Sequence, residues 1–312
     1  MDQQKSYIRN ISNFSGEIDY FKKSEINYRN KLDVNLSDLC ISNIHSQYAL
    51  STFKFLKHIN NKYYFGILSL KIKENSNYEA IISLSLDNNN ISLQLYKIAN
   101  LLYFNSSKIN YKLLNISIFY KDNLLLKYNF YSKNLIEKYG NIVINIDINS
   151  FSRINFNVAS NIYEYFESNL DNCHQIIFMG RDVEVPSKIA KKYSDNIVVI
   201  SQKKIIENFN HECDYQYHIT PKNNYFNILK QYQNNHKIIF ISSGRKGLGI
   251  DLINILNKLN KINRLIIVSC NQQTLKEDIK MLSTTFRLTK IKIFDEHANT
   301  EYFTTILIFQ KL

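Results

Sequence analysis

A cysteine follows an apolar run in the stretch RLIIVSCNQQTL, residues 264–275, and its thiol is the first candidate for chemistry in the chain. The run ends at Ser269, Cys270 and Asn271, and a Thr-Leu pair then opens a segment that could enter a helix. A cysteine thiolate is a strong nucleophile, which makes Cys270 a candidate for covalent catalysis. Cysteine is also among the most frequently buried residue types, so Cys270 could instead be a small packing side chain. The place of residue 270 in the fold decides between these roles.

The charge of the chain favours a polyanionic partner. The 312 residues carry 39 lysines and arginines against 27 aspartates and glutamates, a formal net charge of +12. Proteins this basic associate with nucleic acid first and with anionic membranes second. Compositional drift toward Lys, Asn, Ile and Tyr would raise the charge without any binding purpose, and Pro, Gly and Trp are indeed rare (2, 7 and 0). Nucleic acid is nevertheless the partner that we expect from the charge.

Neither a metal centre nor a membrane anchor is expected. The four cysteines, at positions 40, 173, 213 and 270, lie in no C-x-x-C pair or Cys/His cluster with ligand spacing. The opening MDQQKSYIRN lacks the apolar core of a signal peptide, and no apolar run approaches the ~20 residues of a membrane helix. We expect a soluble, cytoplasmic protein with reduced thiols and, by default, a monomer.

The first half of the chain is interpreted as a strand-rich domain over residues 1–145. Five segments alternate apolar and polar residues with a period of two, as half-buried strands do: YYFGILSLKI, YEAIISLSL, ISLQLYKI, LLNISIFY and LLLKYNFY. Short Asn/Ser/Asp clusters between them predict turns. The segment FKFLKHINNKYYF mixes lysines with aromatics and is interpreted as a half-buried strand with a solvated lysine face, with an RNA-contacting surface as the alternative.

Residues 146–312 change to short apolar runs that alternate with amphipathic segments. The runs are QIIFMG, NIVVIS, KIIFIS, RLIIVS, TKIKIF and TTILIF, and the helix-like segments are SNIYEYFESNL, SKIAKKYSDN, YFNILKQYQN and GIDLINILNKLN. This alternation predicts an α/β domain with a mainly parallel sheet and helices on both faces. Ligands of such sheets bind at the carboxyl ends of the strands. Cys270 is expected at the carboxyl end of the strand RLIIV, which favours the nucleophile over the packing cysteine.

Several motifs resemble those of a known enzyme family. LIIVSCNQQTLKEDIKML resembles the YxSCNPxTLxxDL signature of the RNA uracil-5-methyltransferases of the tRNA m5U54 type, and FDEHANTEYFTTILIF resembles that family's FPxTxHxExVxLL ending. Weaker matches follow the same order along the chain: SEINYRNKLDV to SHYRxRAEF, DINSFSRINFNVASNIYEYF to xxSFxQxNxxxNxxxxxW, and FISSGRKGL to VDPPRxGL. The resemblance implies a Rossmann-like class I methyltransferase domain preceded by a strand-rich α+β RNA-binding domain. The chain is most similar to the short branch that has neither an N-terminal barrel nor an iron–sulfur cluster.

The resemblance also implies a covalent methyl transfer. In the family, a thiolate adds to C6 of uracil and makes C5 nucleophilic toward the methyl group of S-adenosylmethionine, and a base then removes the C5 proton. At the matching positions Cys270 would be the nucleophile, Glu301 the proton acceptor and Arg245 the electrostatic support for the thiolate. The target base must leave its stack to reach the thiol. Arg29 matches the Arg of the family's Tyr-Arg pair and is the candidate RNA contact.

The expected cofactor turn departs from the family pattern. The family has LYCGxGxF after the first strand, because glycine lets the backbone approach the ligand, whereas IFMGRDVEV keeps Gly180 and loses the second glycine. Phe178 and Gly180 are the S-adenosylmethionine contacts that the resemblance still supports. The family's Gln, its ribose-binding acid and its DPPR aspartate are replaced, in that order, by Arg153, Gln202 and Ser242. Arg153 and Arg181 would also repel a sulfonium, and each lost contact costs ~1–3 kcal/mol of binding.

Two functions follow from these residues. The first is an S-adenosylmethionine-dependent tRNA (uracil-5-)-methyltransferase, which by resemblance would act on the T-arm, at position 54, or on another structured RNA. The second is a catalytically impaired homologue that binds and folds tRNA without methylating it. The matches of Cys270 and Glu301 favour the first function, and the altered cofactor turn favours the second.

Overall fold

The chain forms two compact units. The structure, a computed structural model, describes residues 2–12, 14–21, 29–38, 45–63, 65–87, 92–201, 215–221, 224–232, 235–297 and 302–312. One unit, here called the strand-rich unit, is Ser24–Asn157. The other, here called the parallel-sheet unit, combines Met1–Lys23 with Val158–Leu312.

The helices and strands of the described residues are as follows. The helices are α1 (Asp2–Ser12), α2 (Gln47–Tyr63), α3 (Ser92–Lys108), α4 (Phe156–Glu167), α5 (Glu184–Ala190), α6 (Tyr225–Gln231), α7 (Ile250–Lys258) and α8 (Gln272–Leu282). The strands are β1 (Ile18–Phe21), β2 (Lys31–Asn35), β3 (Ile67–Glu74), β4 (Glu79–Leu86), β5 (Lys112–Tyr120), β6 (Asn123–Asn129), β7 (Leu135–Tyr139), β8 (Ile142–Ile146), β9 (Gln175–Gly180), β10 (Ile197–Ser201), β11 (Gln216–Ile219), β12 (Lys237–Ser242), β13 (Ile262–Ser269), β14 (Phe286–Phe294) and β15 (Thr304–Lys311). No helix of these residues is long and apolar enough to cross a membrane.

The parallel-sheet unit is built on one eight-stranded sheet in the order β1-β14-β15-β13-β12-β9-β10-β11. Its neighbours pair in parallel except for β15, which runs antiparallel to both β13 and β14. The chain order reverses between β9 and β12, which creates a crevice at the carboxyl ends of these strands. The predicted α/β domain with a mainly parallel sheet is therefore confirmed.

Both faces of this sheet are covered, as the continuous apolar strands require. Ile177 and Met179 of β9 belong to the core on one face, with apolar residues of α6, α7 and α8. Phe178 points to the opposite face, where its ring lies 6.1 Å from Phe166 of α4 and 5.5 Å from Phe240 of β12. Successive side chains of β9 thus pack on opposite faces of the sheet. The candidate site lies at the carboxyl ends of this strand and its neighbours.

The strand-rich unit has a five-stranded sheet in the order β2-β3-β4-β5-β6 and a separate hairpin, β7-β8. Adjacent strands pair antiparallel except β4 and β5, which are parallel because α3 connects them. Apolar residues of α2 and α3 pack on the sheet to form the core of this unit. The unit is therefore α+β and rich in strands, as the sequence predicts.

Two segments predicted as strands are helices. ISLQLYKI enters α3, and FKFLKHINNKYYF lies mostly in α2. In α2 the buried residues recur at helical spacing: Tyr48, Ala49, Thr52, Phe53, Leu56 and Ile59. In α3 the same holds for Leu95, Ile98, Ala99 and Leu102. The strand prediction was wrong because a period of two and a period of 3.6 coincide over short windows, and only the longer window separates them.

The compact units also differ from the predicted division at residue 145. The segment 142–146 is strand β8, which pairs with β7 inside the strand-rich unit. At the other end, β1 pairs in parallel with β14 and joins residues 1–23 to the parallel-sheet unit. A strand near the N-terminus can complete a sheet formed by distant residues, and local sequence carries no signal for such a pairing.

Gly180 is required by the packing of β9 against β12. Its φ is +111°, and a Cβ at this position would lie 2.2 Å from the carbonyl oxygen of Ser242. Both the backbone conformation and the space therefore exclude a side chain. Gly244 also has a positive φ, +65°, but a Cβ there would meet nothing within 4 Å.

Replacement of Gly180 by alanine is expected to lower the free energy of unfolding by about 2–4 kcal/mol, because strain and overpacking add. The control Gly244→Ala is expected to cost about 1 kcal/mol, since it adds the backbone strain alone. Urea denaturation of both variants measures the difference. Equal losses would show that the contact with Ser242 relaxes at no cost.

A carboxyl group is buried in the strand-rich unit. Glu74, at the end of β3, is 2% exposed and accepts a hydrogen bond of 2.5 Å from the Ser46 hydroxyl. Burial raises the pKa of Glu74 from 4.5 to about 7, and hydrogen bonds from Ser46 and Tyr111 oppose this shift only in part. The folded state therefore binds the proton more tightly than the unfolded state. The protonated Glu74 therefore stabilises the folded state. This contribution to the free energy of unfolding is complete below pH 4.5 and is lost as the pH rises through about 7.

The variant Glu74→Gln mimics the protonated carboxyl at every pH. We expect its stability relative to the wild type to rise between pH 5 and pH 8, by on the order of 2 kcal/mol. Thermal unfolding across this range measures the change. The variant Asp122→Asn, in the exposed turn between β5 and β6, is the control in the same unit. A difference between Glu74→Gln and the wild type that is constant with pH would contradict a proton bound at Glu74.

Candidate active site

Cys270 lies directly after β13, at the carboxyl end of a central strand of the parallel sheet. Its side chain is partly buried. Ser269, the last residue of the strand, is buried, and its hydroxyl contacts the backbone of Asn271 at 3.3 Å on both the amide and the carbonyl side. The residues on either side of Cys270 are thus bonded to each other and form a tight turn. The predicted position of Cys270 at the carboxyl end of the strand is confirmed.

Asn271 connects this turn to two other segments. Its side-chain oxygen accepts the backbone N–H of Gln273 at 3.0 Å and so caps helix α8. Its side-chain amide donates to the carbonyl of Arg245 at 2.7 Å. One side chain therefore sets the start of α8 and holds the turn of residues 244–246 beside Cys270.

Arg245 lies in this exposed turn, which follows β12. The turn is also held from the far side, because the buried carboxylate of Asp278 accepts the backbone N–H of Leu248 at 3.0 Å. The Arg245 guanidinium lies 5.9 Å from the ring centre of Tyr302. Asn271 therefore holds the backbone of Arg245 beside the thiol turn, and the guanidinium lies near the Tyr302 ring.

The segment before β15 approaches the same edge. Glu301, the candidate proton acceptor, lies outside the described residues, and its neighbours Tyr302 and Phe303 are described. The buried side-chain amide of Gln272 donates to the carbonyl of Phe303 at 3.0 Å. The residue two positions after Cys270 is therefore bonded to the residue two positions after Glu301.

The structure thus brings together the turns that carry Arg245 and Cys270 and the two described residues that follow Glu301. The 3-10 turn after β12, the turn after β13 and the segment before β15 meet at the carboxyl ends of β12 and β13. Strand β15 lies on the other side of β13, where Ser269 pairs with Thr305. The turns that bear the Cys270 thiol and the Arg245 guanidinium therefore lie at one edge of the sheet.

Two buried acidic residues follow β14 and were not predicted. Glu296 is 3% exposed and accepts the hydroxyl hydrogen of Thr304 at 2.7 Å. Asp295 accepts the Tyr20 hydroxyl at 3.0 Å. Burial, with the Asp295 charge beside it, raises the pKa of Tyr20. The sequence shows these acids in the stretch FDEHANTE, but acids between two strands are usually solvated, so the pattern alone does not indicate burial.

The predicted cofactor contacts serve the protein's own packing. Phe178 is completely buried in its aromatic cluster, and Gly180 meets the Ser242 carbonyl. Asp182, which stands where the family has its second glycine, is 3% exposed and accepts the Tyr163 hydroxyl at 2.9 Å. Arg181 is exposed. The turn 180–183 therefore offers a ligand its backbone and one cation, while its carboxylate points into the core.

The remaining predicted positions divide between the units. Ser242 ends β12 and is partly buried, and Gln202 lies outside the described residues. Arg153 is 5% exposed and belongs to the strand-rich unit. Arg29, in the same unit, is partly buried and forms an isolated β-bridge with His45. Burial and then the Arg29 charge lower the pKa of His45 to about 4, so this histidine is neutral beside the guanidinium at neutral pH.

Comparison with known sequences finds similarity to one family, most clearly in the C-terminal part of the chain. Residues 226–312 match the family model of tRNA (uracil-5-)-methyltransferases. An uncharacterized RNA methyltransferase of Fusobacterium nucleatum is 26% identical over 295 residues, which cover 88% of this chain and 59% of that protein. A tRNA/tmRNA (uracil-C(5))-methyltransferase of Campylobacter curvus is 34% identical over 73 residues, 23% of this chain and 19% of that protein. The chain spans less than two thirds of the length of these relatives.

Solved structures share the fold over nearly the whole chain. The tRNA (uracil-54, C5)-methyltransferase of Pyrococcus abyssi, solved with S-adenosyl-L-homocysteine, has a TM-score of 0.73 at 13% identity and covers 99% of this chain and 82% of its own. A Streptococcus mutans protein described as an S-adenosylmethionine-dependent methyltransferase has a TM-score of 0.52 at 10% identity, covering 99% and 79%. At such identities the likeness concerns the fold, and it confirms the class I methyltransferase architecture.

The sequence match and the fold agree on one assignment. The matched residues 226–312 contain Cys270, Asn271 and Gln272, whose hydrogen bonds assemble the rim of the sheet. The resemblance to that family is therefore confirmed, and residues 226–312 are the part of the chain that matches the family model.

Proposed function

We propose that this protein transfers a methyl group from S-adenosylmethionine to C5 of a uridine in structured RNA, with tRNA position 54 as the first candidate. Cys270 is the nucleophile, Glu301 the proton acceptor and Arg245 the electrostatic support. The hydrogen bond between Gln272 and the Phe303 carbonyl carries the proposal, because it draws the segment before β15 to the turn that bears the thiol.

The roles of the residues follow from the chemistry of uracil. The Cys270 sulfur attacks C6 and forms a C–S bond, and the negative charge that develops on the base makes C5 nucleophilic. S-adenosylmethionine, when bound, supplies the methyl group. The Glu301 carboxylate then takes the proton from C5, the C5–C6 double bond re-forms, and the thiolate leaves. Arg245 stabilises the thiolate before the attack and after the release.

The position of the crevice in the sheet supports binding of the cofactor more strongly than the side chains of the turn 180–183 do. The crevice at the carboxyl ends of β9 and β12 is the place where such sheets bind ligands, and the turn that follows Gly180 lies at its edge. Asp182 is turned toward Tyr163, and Arg181 adds an exposed positive charge to the same turn. The residues therefore suit a cofactor held mainly through backbone groups, and its affinity is expected to be low.

The RNA partner is supported by the family and by the basic chain. The formal net charge of +12 favours a polyanion, and the strand-rich unit carries Arg29 at the position that matches the family's Tyr-Arg. A cytoplasmic protein with a reduced thiol is consistent with a cysteine nucleophile.

The Cys270→Ala variant is expected to lose methyl transfer to a tRNA transcript by at least about a thousandfold, because the covalent step has no substitute. Transfer of a labelled methyl group from S-adenosylmethionine measures this loss. The wild type should form a denaturation-resistant complex with a 5-fluorouridine transcript, because fluorine replaces the C5 proton that must leave before the thiol is released. The Cys270→Ala variant lacks the thiol and should form no such complex. Cys173→Ala, a change at a second partly buried thiol, is the matched control and should retain both activities. A stable adduct with Cys270→Ala would remove the proposed nucleophile.

A second function, RNA binding without methyl transfer, is favoured by the turn at Arg181 and Asp182. Binding of S-adenosylmethionine distinguishes this function from methyl transfer. Calorimetry with millimolar S-adenosylmethionine is expected to show saturable but weak binding to the wild type. The absence of saturable binding would reject methyl transfer and leave RNA binding as the function.

The Arg181→Ala variant tests the charge at this turn. It should bind S-adenosylmethionine about 2–5-fold more tightly, because an exposed cation close to a sulfonium repels it weakly through water. The affinity for S-adenosyl-L-homocysteine, whose sulfur is uncharged, should change less. Arg287→Ala, a change at an exposed arginine of β14, is the control and should alter neither affinity. An equal gain for both ligands would show that Arg181 acts by its bulk rather than by its charge.

A further inference from the structure

Aromatic side chains of α3 and β6 form a connected row on the strand-rich unit. Tyr96 meets Tyr128 edge to face, with 5.9 Å between the ring centres, and Tyr128 lies 4.8 Å from Phe130. Phe130 stacks on Tyr103 at 4.6 Å, and Phe104 lies 6.2 Å from Tyr103. These five residues are here called the aromatic row. Apolar residues exposed singly need no explanation, whereas a connected set of them is typical of a binding surface.

The residues at the two ends of the row are the exposed ones. Tyr96 is 54% exposed and Phe104 is 64% exposed. Tyr103, Tyr128 and Phe130 are partly buried and pack against the core of the unit. More than half of each end residue is therefore accessible, while the rings between them are held by packing. A flat ring presented in this way can stack with another planar group.

Two lysines flank Phe104 along the same helix. Lys97 precedes it by seven residues and Lys108 follows it by four, and both lysines are exposed. These spacings place the three side chains on one face of α3. The Lys97 ammonium lies 4.5 Å from the ring centre of Tyr63 in α2, a contact that orients the ammonium and leaves its charge in place. The exposed ring of Phe104 therefore lies between two cations.

The charges of these two lysines are not offset by acids of the neighbouring elements. Neither α2 nor α3 contains an acid, and residues 92–134 contain six lysines and one acid, which lies in the exposed turn between β5 and β6. Lys133 is paired with Glu79, whose charge also acts on Lys112, so these two lysines are compensated. Among the described residues, neither Lys97 nor Lys108 forms an ion pair with a carboxylate. The exposed face of α3 is therefore complementary to an anion.

We propose that the aromatic row and the lysines of α3 bind an unpaired stretch of the substrate RNA. Bases stack on Tyr96 and Phe104, and phosphates contact Lys97 and Lys108. Rings alone would suit a protein partner and lysines alone would suit a duplex, whereas rings beside cations suit single-stranded RNA, whose base faces are accessible. The inference rests on the proposed function for RNA as the partner, and it adds which part of the RNA the strand-rich unit recognises.

Removal of the two exposed rings without loss of apolar bulk tests the stacking. Fluorescence anisotropy measures binding to a labelled tRNA T-arm hairpin, which presents a loop, and to a fully paired duplex of the same length. The variant Tyr96→Leu/Phe104→Leu is expected to bind the hairpin about 10-fold more weakly than the wild type, because base stacking is lost, and to bind the duplex as the wild type does. The matched control Tyr96→Phe/Phe104→Tyr keeps both rings and should bind both RNAs within about 2-fold of the wild type. Equal losses in the two variants, or equal losses for hairpin and duplex, would overturn the proposal.

The variant Lys97→Gln/Lys108→Gln tests the phosphate contacts. Its affinity for the hairpin, measured at several salt concentrations, should show a salt slope smaller by about 1–2 than that of the wild type. The control Lys121→Gln/Lys127→Gln removes the same charge from two exposed lysines of the same unit that lie outside α3, and it should change the slope less. Equal changes of slope would show that the lysines of α3 hold no particular phosphate, which contradicts the proposal.

Sedimentation velocity distinguishes RNA from a second copy of the chain as the occupant of the row. The wild type and Tyr96→Leu/Phe104→Leu are expected to sediment alike in the absence of RNA. Self-association of the wild type that this variant loses, together with an unchanged affinity for the hairpin, would assign the row to a second copy and overturn the RNA contact. These measurements contain no S-adenosylmethionine, so a failure of methyl transfer leaves their outcome intact, and a failure of the row leaves the roles of Cys270 and Glu301 intact.

Discussion

The candidate site depends on the two side-chain bonds made by the residues that follow Cys270. The Asn271 amide joins the thiol turn to the Arg245 carbonyl while its oxygen caps α8, and Gln272 holds the Phe303 carbonyl. A parallel sheet places the ends of β12 and β13 at one edge, but it does not fix the loops that follow them. Because Asn271 is partly buried and Gln272 is buried, their side-chain amides have little freedom to move and hold those loops in place. An active site of three loops can thus be ordered by two consecutive residues.

Contacts within the protein also account for the residues of the turn after β9 and of the strand before it. Gly180 is held by its contact with the Ser242 carbonyl, and Phe178 is held by the aromatic cluster on the far face. The residue that replaces the family's second glycine, Asp182, is bonded to Tyr163 on α4. Each of these residues now stabilises the fold. A glycine that is retained for packing says nothing about a cofactor, so the presence of Gly180 is weaker support for S-adenosylmethionine than its place in the motif suggests.

Much of the parallel-sheet unit could be predicted because its signals are local. Its buried strands are short apolar runs, and its helices repeat apolar residues every three to four positions, so the place of Cys270 follows from counting. The signals failed where pairing is distant or windows are short. The strand β1 joins β14 across most of the chain, and α2 and α3 were taken for strands. The burial of Glu296 depends on Thr304 across a loop, a contact that no spacing rule contains.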